Sequence, residues 1–325
     1  MTSFLARRLL QSAFVLFAMS VLVFVGIFAI GNPVDVLISP EATQADRQRI
    51  VESLGLDRSL IEQYVSFVRG VFDGDFGKSF VFKISAIGLI LDRMPATLEL
   101  AVSAMVLSIL IGLPLGMLAG MHPDSFLGRS IMAGSIVGFS MPTFWVGLIL
   151  ILVFAVYLGW LPSTGRGETV TVLGIRWSFL TLDGLAHLIL PAFNLALFKI
   201  SLVIRLTRAG MRDALASDYV RYAIAKGLYP RRVVMVHALK NILIPLVTVL
   251  GLEFGSVIAF AIVTETIFAW PGTGKLIIES ISVLDRPVIV AYLMVIVLMF
   301  VTINLIVDIT YSILDPRIRI GGATS

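Results

Sequence analysis

The chain has 325 residues, of which 58% are hydrophobic and 14% charged, with a formal net charge of +4 and no cysteine. An ordinary soluble domain is about one-quarter charged, so this composition excludes a water-soluble globular enzyme, and the absence of cysteine excludes a disulfide framework or a thiol nucleophile. The small basic excess does not signal nucleic acid, because in so apolar a chain basic residues sort by membrane side.

Apolar runs of about twenty residues, enough for a helix to cross roughly 30 Å of hydrocarbon, mark the spans. The first, Leu9 to Ile30, follows Arg7 and Arg8. It is too long for the apolar core of a secretory signal and no small-x-small cleavage site follows, so it reads as a retained anchor. Residues 31–96 come next as a segment with its own pattern. In DRSLIEQYVSFVRGVF, Leu60, Ile61, Tyr64, Phe67, Val68 and Val71 follow helical spacing, Asp57 is placed to cap the start, and DGDFG at Asp73 to Gly77 makes a turn. One or two amphipathic helices are expected here, as a lid on the bundle or a docking surface for another protein.

Five further spans follow: Thr97 to Met121, Ser130 to Leu158, Ala186 to Leu206, Ile242 to Val263 and Val288 to Tyr311. Pro114 and Pro142 fall inside two of them, near Gly112, Gly116, Gly134, Gly138 and Gly147. Kinking and close helix approach account for these residues without any chemistry. With six spans both termini lie on one side, together with Arg7, Arg8, Arg129, Arg205, Arg208, Arg212, Arg221, Lys226, Arg231, Arg232, Lys240, Arg317 and Arg319. The short opposite loops hold only Arg166, Arg176, Lys275 and Arg286. The basic excess puts the termini in the cytoplasm.

Between spans four and five lies SDYVRYAIAKG. Ser217 suits an N-cap, Asp218 and Lys226 complement the helix dipole, and Gly227 supplies the left-handed stop. Pro230 then suits the first turn of a second helix. Tyr219, Tyr222 and Ala223 share one face, two rings around a small residue. Such a face fits a groove in a partner protein; an interfacial helix resting on anionic headgroups is the competing reading.

Lys199 in span four and Glu253 in span five are the charges deepest in the apolar zone. Each costs about 2.5 to 3.5 kcal/mol on insertion scales and calls for a partner or a wet cavity. An ion pair or a conduit lining is expected, serving structure or gripping a substrate's charged termini; a lysine snorkelling to the level of Arg205 is the bland alternative. Asn194, Asn304 and Asp308 are explained by interhelical hydrogen bonds. An intramembrane hydrolase is excluded: Ser140 lies about 15 Å by helical rise from the cytoplasmic end of its span, whereas His187 begins span four at the opposite face. HExxH and GxSxG are missing.

RYAIAKGLYPRRVVMVHAL at residues 221–239, with GNPV at Gly31, LGLDRSLIEQY at Leu54, GDFGKS at Gly74, RMPATLELA at Arg93, TETIFAWPGTGKL at Thr264 and DPRIR at Asp315, carries a resemblance over nearly the whole chain. In order and spacing these stretches resemble the ABC-importer permeases of the branch that moves dipeptides, oligopeptides, glutathione or nickel. The resemblance implies an all-α integral membrane protein of the bacterial inner membrane, similar to type I importer permeases. Residues 1–30 would form the cytoplasmic N-terminus and first span, 31–96 the extracytoplasmic segment, 97–311 a five-helix core with a coupling loop at 207–241, and 312–325 a cytoplasmic tail. In that family the loop, called the EAA loop, docks on a cytoplasmic ATPase. By resemblance Asp218, Tyr219, Arg221, Tyr222, Ala223, Lys226 and Gly227 make that contact. Arg221 and Tyr222 stand where the general motif has Glu and Ala, His237 replaces its Ile, and Lys240 its Pro, as in the peptide branch. The implied partners are membrane lipid, a second homologous permease, two ABC ATPase subunits and an extracytoplasmic solute-binding protein, with ATP and magnesium bound by the ATPase and no cofactor or metal by this chain. The sequence agrees, since PGTGKL lacks the first glycine and the final Ser or Thr of an ATP-binding loop. A secondary transporter or channel is the alternative; no inverted repeat supports it.

Overall fold

The computed structural model describes residues 2–29, 43–53 and 57–314; GNPV at Gly31 and DPRIR at Asp315 lie outside them. In chain order the elements are α1 (Thr2–Ala29), α2 (Gln44–Ser53), α3 (Leu60–Asp73), α4 (Ala86–Met121), α5 (Phe126–Ser140) and α6 (Thr143–Tyr157, π-wound from Ile151). A hairpin of β1 (Val170–Val172) and β2 (Ile175–Trp177) leads to α7 (Leu182–Ala216), α8 (Asp218–Ala225), α9 (Pro230–Ile267, π-wound over Val233–Ala238), α10 (Thr273–Ser282) and α11 (Arg286–Leu314). Two compact units result: Met1–Met94 with Gly272–Thr302, and Pro95–Pro271 with Ile303–Ser325.

In the first unit, α3 packs against α1. The Phe24 ring meets Tyr64 edge-on at 5.3 Å, and the Tyr64 hydroxyl lies 2.9 Å from Ser20 Oγ. Val23, Val290 and Met294 form a small core with Phe67, Val71 and Phe76. The expected amphipathic face is thus only partly used, since Leu60 and Ile61 remain exposed. The cap also differs. Ser59, not Asp57, closes a capping box: its hydroxyl accepts the Glu62 N–H, and its own N–H donates to the Glu62 carboxylate at 3.0 Å. The helix stops at Gly74 in the left-handed region (φ 71°), and the DGDFG turn follows, with the Gly77 N–H donating to Asp75 Oδ1 at 2.9 Å. Buried Asp285 clamps the next turn, accepting the Ser79 hydroxyl and the Phe80 N–H.

The second unit is built on a glycine seam. Gly112, Gly116 and Gly120 on α4 face Val203, Thr207 and Met211 on α7, each pair one helical repeat of four further on. A Cβ at these glycines would sit 2.7, 2.6 and 2.6 Å from the facing side chains, so only glycine lets the backbones approach this closely.

The expected third span, Ser130 to Leu158, is broken. Pro142 has no N–H to donate and pushes Met141 into an extended conformation; α5 and α6 therefore meet at a bend of 105°. They still progress steadily along α7. Gly138 lies against Leu197 and Ser201, Gly147 against Asn194, and Leu150 joins Leu190 in a cluster with Phe268. Five other helices among the described residues are long and apolar enough to span, and with the broken pair as one span the candidates number up to six.

Candidate functional site

Two places concentrate charge on this scaffold: the connection between α7 and α9, and the middle of those same helices. At the connection, Ser217 occupies the N-cap position of α8, but its hydroxyl donates back to the Ala214 carbonyl and so finishes α7 rather than capping α8. Asp218 follows in the first turn, with its carboxylate 3.6 Å from Arg221, an exposed pair of small energetic weight. The helix ends as the sequence anticipates, with Lys226 at the C-cap and Gly227 in the left-handed region at φ 75°. Lys226 Nζ sits 4.5 Å over the Tyr222 ring.

The face expected from Tyr219, Tyr222 and Ala223 is split. Tyr222 is 63% exposed and Tyr219 is also exposed, whereas Ala223 is 5% exposed and turns inward with Val220 and Val233. Leu215 and Leu228 complete this miniature core. A two-turn helix has room for one buried stripe, and Val233, at the start of the next helix, decides which stripe that is. Below it, Met117, Met211, Ala214, Ala238 and Ile242 pack α4, α7 and α9 together. The knob is therefore seated on the bundle through continuous apolar packing, presenting Asp218, Tyr219, Arg221, Tyr222 and Lys226 outward.

Deeper in the spans, Lys199 and Glu253 do pair. Lys199 Nζ donates to Glu253 Oε2 and, at 2.8 Å, to Ser256 Oγ. Its side chain is 5% exposed against 34% for Glu253, so it does not snorkel to the level of Arg205, whose guanidinium lies 4.4 Å over the Phe139 ring. Asn194 adds a second tie between α7 and α9, donating to Thr264 Oγ1 at 3.0 Å. His187 holds its own helix through the Asp183 carbonyl, and Ser140 donates to Ile136. Among the described residues no three His, Asp or Glu side chains converge as metal ligands.

Sequence reasoning missed a further cluster. Glu99 on α4 accepts Arg166 Nε at 3.0 Å and Nη2 at 2.6 Å on one oxygen, and the Ser178 and Phe179 N–H groups at 2.8 and 2.9 Å on the other. Arg166 also donates to the Arg176 carbonyl and lies 5.8 Å over Trp270, whose indole N–H donates to the Ala96 carbonyl. This knot fixes the 158–181 loop and its hairpin, whose tip, Leu173, is almost fully exposed at φ 54°. The one sequence signal was an acidic residue, Glu99, inside an apolar run.

Residues 112–320 match the family described as binding-protein-dependent transport system inner membrane component, and residues 1–101 match its N-terminal companion. The chain belongs to this family. It is 40% identical to the di/tripeptide transport system permease protein DppB of Pseudomonas aeruginosa, over 98% of this chain and 99% of that one. It is 40% identical to the oligopeptide transport system permease protein AppB of Bacillus subtilis, over 98% and 100%, and 36% identical to the glutathione transport system permease protein GsiC of Escherichia coli K12, over 98% and 99%. The fold is shared with the MetNI methionine ABC transporter in inward-facing conformations, at a TM-score of 0.52 and 16% identity, covering 70% of this chain and 96% of that one. This permease is accordingly a multi-pass protein of the cytoplasmic membrane. Its family works with ATPase and binding-protein subunits.

Proposed function

We propose that this permease forms half of the inward pathway for di- or oligopeptides or related small solutes, and that α8 is the helix through which a cytoplasmic ATPase drives it. In this reading both termini face the cytoplasm, 31–96 is extracytoplasmic, and the 97–311 core carries the coupling loop at 207–241. A second homologous permease completes the pore, two ATPase subunits bind ATP and magnesium, and a solute-binding protein delivers the cargo. This chain itself performs no hydrolysis.

The observation that carries the reading is the knob: an outward pair of tyrosines on a helix whose inner stripe continues into the packing of three spans. A push on Tyr219 and Tyr222 reaches α7 and α9 without passing through a flexible joint. The peptide class is supported by the Pseudomonas and Bacillus relatives, which are permeases of di/tripeptide and oligopeptide transport systems. The alternative, a secondary transporter or channel, leaves the exposed knob without a task. The test reconstitutes the chain with its ATPase and binding-protein partners. Binding protein loaded with dipeptide should stimulate ATP hydrolysis and uptake, and Tyr222→Ala should cut uptake per ATP hydrolysed. Full coupling in that variant would remove α8 from the drive path.

A further inference from the structure

We infer that Glu253 is the group within the pathway that receives the primary ammonium of a passing solute, with Lys199 and Ser256 as positioning residues; this rests on the peptide-permease reading above. Glu253 lies midway between Leu239 and Ile267, about 21 Å from either by helical rise. Lys199 is enclosed and has its donors turned onto Glu253 Oε2 and Ser256 Oγ, so its charge is not offered to a solute. Ser256 Oγ also lies 2.8 Å from that same oxygen, Oε2. Both contacts to the carboxylate fall on Oε2. Oε1 takes part in neither, and the side chain is 34% exposed.

The helix surface near that carboxylate mixes polar and apolar side chains. Within two turns of Glu253, Thr248, Leu252, Ser256 and Ala259 lie on the exposed or half-buried surface of α9, together with exposed Val247 and Phe260. A half-exposed carboxylate at mid-span belongs in a wet conduit. An acceptor-only group with one oxygen occupied and one free recognises an N–H donor, and a primary ammonium supplies three. Lys199 neutralises the site overall, which keeps the grip weak enough for release. The solute class is therefore one with a free amino terminus.

The assembled transporter, with its ATPase and binding-protein subunits, is placed in liposomes and supplied with radiolabelled dialanine. E253Q should lower uptake per ATP hydrolysed by about tenfold, the order expected for losing one charge-assisted hydrogen bond. E253D should keep most of it. K199M/E253Q leaves no buried charge, so it should stay assembled at a near-normal unfolding midpoint yet carry dialanine as poorly as E253Q. The swap K199E/E253K keeps an ion pair while presenting the wrong charge, and should also fail to transport. Recovered uptake in either double variant, or uptake lost only where assembly is lost, would show a purely structural pair and overturn the inference. Wild-type uptake with an unaltered rate in E253Q sinks this inference alone. A wild-type complex that hydrolyses ATP but carries no dialanine sinks the peptide reading and this inference with it.

Discussion

Two acid–base pairs tie this core together, and they differ in one respect. Glu99 has both oxygens taken, by two Arg166 nitrogens and two backbone N–H groups, and its side chain is 1% exposed. Glu253 has one oxygen engaged and a third of its side chain open. A closed carboxylate has no capacity left for a ligand and its energy goes into holding a loop; an open one holds two helices and still has an acceptor to offer. Removing one member of a closed, buried pair strands its partner, at about 3–5 kcal/mol. Glu99→Ala should therefore produce the largest loss, with the thermal unfolding midpoint of the purified complex and its uptake falling together. Glu99→Leu combined with Arg166→Met should recover part of the midpoint. If Glu99→Ala leaves the midpoint unchanged while uptake falls, the two pairs are not of different kinds.

Next come sites where the closed state is steric. At Gly116 a methyl would meet the Thr207 Cβ at 2.6 Å and the Ile204 carbonyl at 2.8 Å, and backbone atoms have little room to retreat. Gly116→Ala should cost about 1–3 kcal/mol, the range for overpacking, read as a lower unfolding midpoint. Gly134→Ala, with nothing within 4 Å, serves as the control and should be neutral in the isolated chain. The knob repeats the contrast within eight residues. Ala223→Leu should lower stability by a similar amount, because it enlarges a buried contact with Val220 and Val233. Tyr222→Ala should leave stability within about 0.5 kcal/mol while uncoupling transport. Equal stability effects at the two positions would refute the split face.

The spans were legible because crossing a membrane is a demand on composition and length, which a single sequence carries in full. Lys199 and Glu253 were legible for the related reason that an intramembrane charge stands out against its surroundings. The Glu99 knot was not, because its partners lie 67, 79 and 80 residues away and only the folded loop brings them together. Ala223 turns inward although it shares a helical face with the two tyrosines, because spacing defines which residues share a face but not which face turns inward; Val233, from the following element, sets that. Pro142 was visible as a helix disturbance, yet a kink and a full break share the same local signal, and the size of the bend depends on the packing of α5 and α6 along α7. At α3 the better cap was readable all along. Ser59 with Glu62 three residues on is the capping-box pattern, while Asp57 has no such reciprocal partner.

That capping box marks the open extreme of the comparison and the smallest expected effect. Glu62 is fully exposed, and the Ser59 hydroxyl and backbone N–H, donating to its carboxylate, hold its pKa below the ordinary value. A carboxylate whose folded pKa is depressed contributes stability that is fully present above its unfolded pKa, about 4.3, and is lost as pH falls through the folded value. The start of α3 should therefore be intact at neutral pH and fray only in acid, once the pH falls below the unfolded value. Amide exchange at residues 60–63 reports this directly: in the wild type protection should hold down to about pH 4.3 and drop as the pH falls further, after correction for the intrinsic exchange rate. In Glu62→Gln, which retains an acceptor but no charge, that protection should be lower at neutral pH and nearly flat with pH. A pH-dependent drop of equal size in Glu62→Gln would assign the acid sensitivity of α3 to some group other than its cap.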